Sequence, residues 1–534
     1  MRYNKRDNPI SVLSLIATVL LPCYAKPVSP RWDDTHTVHA WKRVPENWVN
    51  LGHPAADTTI NLYIALRPHQ ESSLIDALYE VSDPNHPRRV LLVSPLFPMY
   101  SPVLSRDCRY GAHLTKEQVA ELVAPHPNTL ELVRSWLIYH RIPFSPFSMT
   151  HGGNTLTLTD VPIIQANKLL GASYQIYKHV ETNETVVRTI GYALPTALHN
   201  HVWTVAPTTR FDSLRVRGQA PRKRSQAAEK QAREVSRVSA RALPNRYDGT
   251  TSPDFLHWLY KSWSYVPTAT WQNMLAVVGY LWDSPSPTDL QAFMQKYRSD
   301  GVDGTFRLVT VNYGIYNPSD PNSEANLDLQ YAQGMAYPTP LVFYSTGRGP
   351  QGTDDWYLSW LNSVLDLLLL PQTISTSYVS KESSYSRQEA AYLCYLYAQL
   401  GARGVSLLFA TGNFGVGQGN CARGDGSIRF VPNFPASCTC GILLSGCRKY
   451  SSTGTVCSSH THAFAGPWVT AVGGTTSFLP EWAASFSGGG FSDYFQRPSY
   501  QQQAAASYFD YLGNQYNGLY KCVHSLSWPD PRPL

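Results

Sequence analysis

Charged residues make up only 15% of the 534-residue chain, while hydrophobic residues reach 43%. So little charge excludes a chain held open by self-repulsion, and so much apolar material can bury a large core. Long apolar runs are also missing. Past the N-terminus, no stretch reaches the ~18 uncharged apolar residues of a membrane-spanning helix, so no membrane partner is expected. The formal net charge of +6 hints at nucleic acid, but the excess is local. Arg215, Arg217, Arg222, Lys223, Arg224, Lys230, Arg233, Arg237 and Arg241 punctuate residues 206–250. That stretch has few large apolar residues and lacks the aromatic platform on which single-stranded bases stack. It reads as a solvated basic linker, with Arg222-Lys223-Arg224 accessible to a processing protease, and no nucleic-acid partner is expected.

The N-terminus has its own pattern. Arg2, Lys5 and Arg6 precede a short apolar run over residues 10–21, and Cys23 and Ala25 place small residues where a signal peptidase cuts. Residues 1–25 therefore read as a secretory signal and the expected address is secreted and extracellular. Nine cysteines in an oxidising compartment imply disulfides. Asn183-Glu184-Thr185 is a glycosylation sequon, which agrees with that address.

Two patterns divide the remainder. Residues 26–205 interleave strands and helices. Residues 59–66 alternate as a strand, residues 73–81 are amphipathic, and Thr115 with Gln118 makes a capping box. From residue 251 onward, strands alternate with helices. Strands are expected over residues 275–281, 306–311, 341–345, 373–378 and 405–410. Helices are expected over residues 288–297, 355–370 and 385–400, with Gly401 as the stop of the last. Repeated β-α-β units imply a parallel sheet covered by helices on both faces, with its site at the carboxyl ends of the strands.

One short helix holds the candidate chemistry. Ser323 reads as its N-cap, and Glu324 and Asp328 stand four residues apart on one face. Two like charges so placed cost stability unless a proton or a third group is shared between them. Spacing alone is also compatible with a solvated face.

The block Ser323-Glu324-Ala325-Asn326-Leu327-Asp328-Leu329-Gln330-Tyr331 resembles the E-A-S-L-D-x-Q-Y block of the sedolisins, the serine-carboxyl peptidases that include the tripeptidyl peptidases. Further blocks follow in family order. They cover residues 371–378, 399–406, 433–438 and 472–476, and Phe486-Ser487-Gly488-Gly489-Gly490-Phe491-Ser492-Asp493-Tyr494-Phe495 ends the series. The resemblance covers nearly the whole chain after residue 25 and is closest to fungal secreted members. It implies a subtilisin-like doubly wound α/β domain over residues 251–534, preceded by an α+β activation prosegment over residues 26–205. The basic linker then becomes the processing segment. It also implies peptide or unfolded-protein substrates cleaved at acid pH, with the prosegment as intramolecular inhibitor. By match, Glu324 is the general base and Asp328 the acid that orients it. A serine hydroxyl needs an adjacent base, and a carboxylate can serve at a pH where histidine is protonated.

Three departures qualify the resemblance. The family loop S-G-D-x-G-x-G places an aspartate at the oxyanion, and here Asn413 takes that position. Its side-chain amide can donate to an oxyanion at any pH. The nucleophile motif S-G-T-S-A-S does not occur within the 534 residues. Ser487 and Ser492 belong to a structural block, so no nucleophile is assigned and the 534 residues as they stand are expected to be inactive. The calcium expected for the family has its site near the family's C-terminus, which is likewise missing here. The alternative reading is a non-catalytic sedolisin-like protein or a truncated gene product. Residues 89–109 and 439–466 are inserts relative to the family, which unspliced introns would explain. Cys440, Cys447, Cys457, His460 and His462 in the second insert are spaced too irregularly to argue zinc. Cys421 and Cys438 flank the loop after Asn413 and are expected to pair, leaving Cys394 as a buried thiol in a helix.

Overall fold

The computed structural model describes residues 30–82, 111–144, 149–150, 152–212, 250–270, 272–349, 353–416, 428–438, 468–476, 481–495, 497–498, 501–516 and 518–520. Residues 213–249 of the basic linker, the two inserts and the N-terminal segment lie outside these residues, whereas residues 206–212, expected to open the solvated linker, are buried and continue the first part of the fold.

The first part is built from short antiparallel sheets. β1 (Thr35–Ala40) pairs with a later strand, β7 (Gly191–Pro195). β2 (Trp48–Gly52) begins a three-stranded sheet completed by β5 (Gln175–His179) and β6 (Thr185–Arg188). β3 (Thr59–Leu66) lies between β4 (Thr155–Pro162) and β8 (Val202–Ala206). The capping box at Thr115 forms as expected, with Gln118 N donating to Thr115 Oγ1 at 3.2 Å and the Thr115 N–H reaching Gln118 Oε1 at 2.9 Å.

β3 departs from a one-sided strand. Ile60, Leu62, Ile64 and Leu66 enter a core shared with Trp136, Leu156 and Leu170. Tyr63 and Ala65, on the opposite face, enter a second core that also contains Tyr392, Leu396 and Leu400 of the later part of the chain. The strand is apolar on both faces because its second face is a docking face.

The second part is a six-stranded, all-parallel sheet. Its strands are β9 (Leu275–Gly279), β10 (Phe306–Val311), β11 (Leu341–Thr346), β12 (Thr373–Thr376), β14 (Ser406–Ala410) and β16 (Thr470–Val472). Two-residue strands β13 (Ser380–Lys381) and β15 (Asn433–Phe434) form a separate antiparallel pair. The spatial order is β10-β11-β9-β12-β14-β16. The chain enters in the middle at β9, crosses to the edge strand β10, returns inward through β11, then passes β9 to β12 and winds outward through β14 and β16. In such sheets ligands bind outside the carboxyl ends of the strands where the winding reverses, here β9 and its neighbour β12.

The Arg387–Ala402 helix joins the two parts. Thirteen of its sixteen residues are buried, so it is covered on nearly every face, as a helix packed on both sides must be. Tyr397 meets Phe409 of the sheet with ring centroids 5.1 Å apart, while Tyr392 and Tyr395 meet Trp203 of β8 at 6.0 and 5.3 Å. Gly401 does not stop this helix. It lies inside it, where an added Cβ would meet Leu78 at an ordinary 3.4 Å. The left-handed residue that ends the turn is Gly404, with φ of 87°. Arg403 closes the end of another helix, Trp356–Leu365, by donating to the carbonyls of Leu365 and Leu367. That helix is shorter than residues 355–370, because Asp355 is its cap, at 2.7 Å from Leu358 N, and Arg403 binds the carbonyls after Leu365.

Candidate active site

The Ser323–Ala336 helix carries the acid pair. Its cap is Asn322, one residue before Ser323, whose Oδ1 accepts from Glu324 N at 2.8 Å. Ala325 and Leu329 anchor the helix in a core with Val277, Phe343 and Phe293. That anchoring leaves Glu324 and Asp328 both partly exposed on the face next to the sheet's carboxyl edge. Glu324 occupies the first turn, where the helix dipole favours negative charge.

Asp328 has a tighter environment than its partial exposure suggests. Ser377, one residue past β12, donates its hydroxyl to Asp328 Oδ1 at 2.8 Å. Burial of the carboxyl, reinforced by Asp283, pushes Asp328 up to about 7 against the opposing pull of that hydrogen bond. Asp283 follows β9 and is itself buried, accepting from the Tyr378 hydroxyl at 2.8 Å. Burial first, then Asp283, Asp328 and Glu324, raise Tyr378 well above the usual tyrosine range, with Asp283 the carboxylate in contact with the phenol. The group sits at the carboxyl ends of β9 and β12, the reversal point.

Asp283, Ser377 and Tyr378 were not picked out from the sequence as site residues. Ser377 and Tyr378 lie in a quoted family block, and Asp283 follows a strand end, but neither position carries a pattern of its own. The backbone around them is strained. Leu281 and Trp282 after β9, and Asn312 and Tyr313 after β10, all have φ between 42° and 62°. Left-handed non-glycine residues cost about 1–2 kcal/mol each and gather at functional edges.

Asn413 is exposed in the loop after β14, directly after Gly412 at φ of 92°. Among the described residues no hydrogen bond joins it to the acid pair. The Gly488 N–H donates to Gly412 O at 2.8 Å, and a Cβ on Gly488 would stand 1.8 Å from Thr411 O, so the glycine-rich block lies flush against this loop. Ser487 Oγ accepts from Gly474 N at 3.1 Å. Ser492 donates to Glu382 and accepts from Tyr494 N and Phe495 N. Both hydroxyls are engaged in holding loops together.

The expected Cys421–Cys438 pair is not formed. Cys438 is bonded to Cys394, with Cα atoms 5.4 Å apart. Cys394 is therefore no free thiol: its position on the buried Arg387–Ala402 helix faces the turn after β15. Cys421 lies outside the described residues. Among the described residues no group of three or more His, Cys, Asp or Glu side chains is arranged to hold a metal ion, and no step is routed through calcium.

A second cluster of charges bridges the two parts of the chain. Arg210 is wholly buried and holds Asp212 at 2.9 Å, contacts Asp355, and lies 4.0 Å from Glu389. Arg348 binds Glu184 and reaches Asp212 at 3.3 Å. Arg188 Nη2 donates to Asp354 O at 3.1 Å. Asp354 itself accepts from Asn61 and Tyr63 of β3, each at 3.1 Å, and from Asn312 at 2.8 Å. Burial pushes Glu389 up to about 7 despite Arg210. Burial would raise Asp212 too, but Arg210, Arg348 and Arg188 hold it below the usual carboxylate range.

A doubly wound parallel sheet with carboxylates at its reversal point, docked to an α+β unit through a largely buried ion cluster, defines a subtilisin-like peptidase fold bearing a prosegment. Comparison with known proteins supports that class. Residues 105–211 match the Pro-kumamolisin activation domain. The tripeptidyl-peptidase SED2 of Arthroderma otae is 30% identical over 541 residues, covering 97% of this chain and 80% of that protein. "Probable tripeptidyl-peptidase SED3" of Trichophyton verrucosum is 29% identical over 494 residues, covering 89% of this chain and 73% of that one. Among solved structures, a Pseudomonas sedolisin matches at 19% identity and a TM-score of 0.31, over 48% of this chain and 66% of its own. The chain belongs to the sedolisin family of tripeptidyl-peptidase-like proteins.

Proposed function

We propose that the chain is the secreted precursor of an acid-acting sedolisin peptidase of the tripeptidyl-peptidase type, with Glu324 as general base and Asp328 as its partner. The observation that carries this reading is the position of the pair. Both acids stand on one helix face at the reversal point of the sheet, and Asp328 is kept protonated into the neutral range by burial and Asp283. A protonated Asp328 beside Glu324 leaves the pair with one negative charge, on the Glu324 carboxylate that would accept a hydroxyl proton. Ser377 holds Asp328 in place by donating to it, and the Asp283–Tyr378 pair follows the two neighbouring strand ends. Asn413 would donate its amide to the oxyanion of the tetrahedral intermediate, a role that does not depend on pH. The prosegment blocks the body through β3 and the ion cluster until the basic linker is cut.

Residues 1–534 contain no serine in the family's nucleophile motif. A polypeptide of those residues alone has a base with no hydroxyl to activate and would act as a non-catalytic, peptide-binding member. Among the described residues no helix is long and apolar enough to cross a membrane. The signal-like residues 1–25 favour export.

Purified residues 1–534, cut at the linker, should release no tripeptide from a peptide library at pH 4–5. Joining the nucleophile-bearing segment of a relative should produce turnover that Glu324→Gln abolishes. Turnover by residues 1–534 that Glu324→Gln removes would refute the claim of inactivity, and turnover indifferent to Glu324→Gln in the joined protein would refute the assigned base.

A further inference from the structure

We propose that Asn183 is an N-glycosylation site, the acceptor of an oligosaccharide carried on a lipid pyrophosphate. This rests on the secretory reading above and extends it to a particular atom. The sequon Asn183-Glu184-Thr185 closes the turn of the β5–β6 hairpin, with Thr185 opening β6. The turn is fully built from other groups. Asn183 N donates to His179 O at 3.0 Å and His179 N donates to Glu184 O at 2.8 Å. Thr182 Oγ1 and His179 Nδ1 lie 3.1 Å apart.

Asn183 takes φ of 57°, a left-handed conformation that asparagine tolerates better than most residues. Asn183 and Thr185 are exposed. Among the described residues neither the Asn183 carboxamide nor the Thr185 hydroxyl has a hydrogen-bond partner. The acceptor amide and the hydroxyl two residues on are therefore both unused by the fold, as this modification requires. Glu184 between them is used: it turns inward to Arg348 across the interface between prosegment and body. The middle residue holds the hairpin to the body while its two neighbours face solvent, so the docked prosegment accommodates a bulky glycan.

In the transfer, a bond forms between Asn183 Nδ2 and the anomeric carbon of the first sugar. The bond from that carbon to the lipid-pyrophosphate oxygen breaks, the lipid pyrophosphate leaves, and Nδ2 loses one proton. Nothing is oxidised or reduced.

The test is translation of the full chain with eukaryotic microsomes, read by gel mobility before and after peptide-N-glycosidase treatment, with protease protection as the control for import. The imported chain should carry one glycan, removed by the glycosidase. The glycan should be absent from Asn183→Gln and Thr185→Ala and retained in Thr185→Ser. An imported, protease-protected chain without a glycan overturns the proposal and leaves the secretory reading standing. A chain that is never protected overturns both. A glycan that persists in Asn183→Gln also overturns the assignment.

Discussion

Replacing Glu389 by glutamine asks whether a buried carboxyl between prosegment and body sets the pH at which the fold is most stable. Glu389 is wholly buried and faces Arg210 at 4.0 Å, with Asp212 and Asp355 closer to that cation. Burial raises it from 4.5 to about 7. A carboxyl whose folded pKa is raised contributes stability that is complete below the unfolded value and is lost as pH rises through the folded one. For Glu389 that window is about pH 4.5–7, and the loss is about 3 kcal/mol at about 1.4 kcal/mol per pH unit. Asp328 and Glu382, each also raised to about 7 by burial, act with the same sign. Five histidines lowered by burial, His39, His113, His140, His201 and His257, act against it as pH falls below 6.5. Asp212, held low, weighs only below its usual 3.8. Glutamine keeps the size of Glu389 and resembles its protonated form. Denaturant titrations followed by tryptophan fluorescence should give wild type and Glu389→Gln similar midpoints at pH 5. At pH 7.5 the variant should be the more stable, by up to about 3 kcal/mol. A variant that is less stable than wild type at pH 7.5, and more so than at pH 5, would refute the reasoning. It would show that the ionised carboxylate gains more from Arg210 than its burial costs.

Two further outcomes follow from other contacts. Cys394 and Cys438 close a loop of 44 residues, so replacing both by alanine should lower unfolding free energy by about 4 kcal/mol in the chain-entropy account; an unchanged denaturation midpoint would contradict the bond. Ser377→Ala removes the hydroxyl that lowers Asp328. Hydrogen bonds to charged groups are worth about 1.5–3 kcal/mol, so the Asp328 carboxyl, followed by carbon-13 NMR, should titrate roughly a pH unit or more above its wild-type value, and a fall would invert the role given to Ser377.

Local chemistry made much of the fold legible. The capping box at Thr115, the strand of residues 306–311 and the parallel character of the later sheet all announce themselves through residues that interact within a few positions or through simple alternation. Boundaries were missed where a tertiary contact overrules the local signal. Gly401 looks like a stop, yet the helix continues because Leu78 packs there and the left-handed turn falls to Gly404 instead. The disulfide was misread for a similar reason. Cys421 is closer to Cys438 in sequence, whereas Cys394 reaches Cys438 only because the Arg387–Ala402 helix is buried beneath the turn after β15. At the site, Glu324 and Asp328 could be read because i and i+4 share a helix face. Asp283, Ser377 and Tyr378 could not, since they come from two strand ends that only the sheet order makes adjacent.

The same sheet order links the prosegment to the site. Asn312 follows β10 in a left-handed turn and donates to Asp354 at 2.8 Å and to Ser359 at 2.9 Å. Asp354 is the residue that receives Asn61 and Tyr63 from β3 of the prosegment. A strained turn at the sheet's carboxyl edge is thus held on one side by a carboxylate whose other donors belong to the prosegment. Burial raises Asp354 above the usual carboxylate range, while the bonds from Asn312, Asn61 and Tyr63 pull it back. Undocking β3 takes away two of those three donors and opens the carboxylate to water, which then competes with Asn312. Losing a donor to a charged group costs about 1.5–3 kcal/mol where water cannot replace it. The docked first part therefore contributes to the order of this edge, and a body from which β3 has been undocked would hold Asn312 with fewer partners around Asp354.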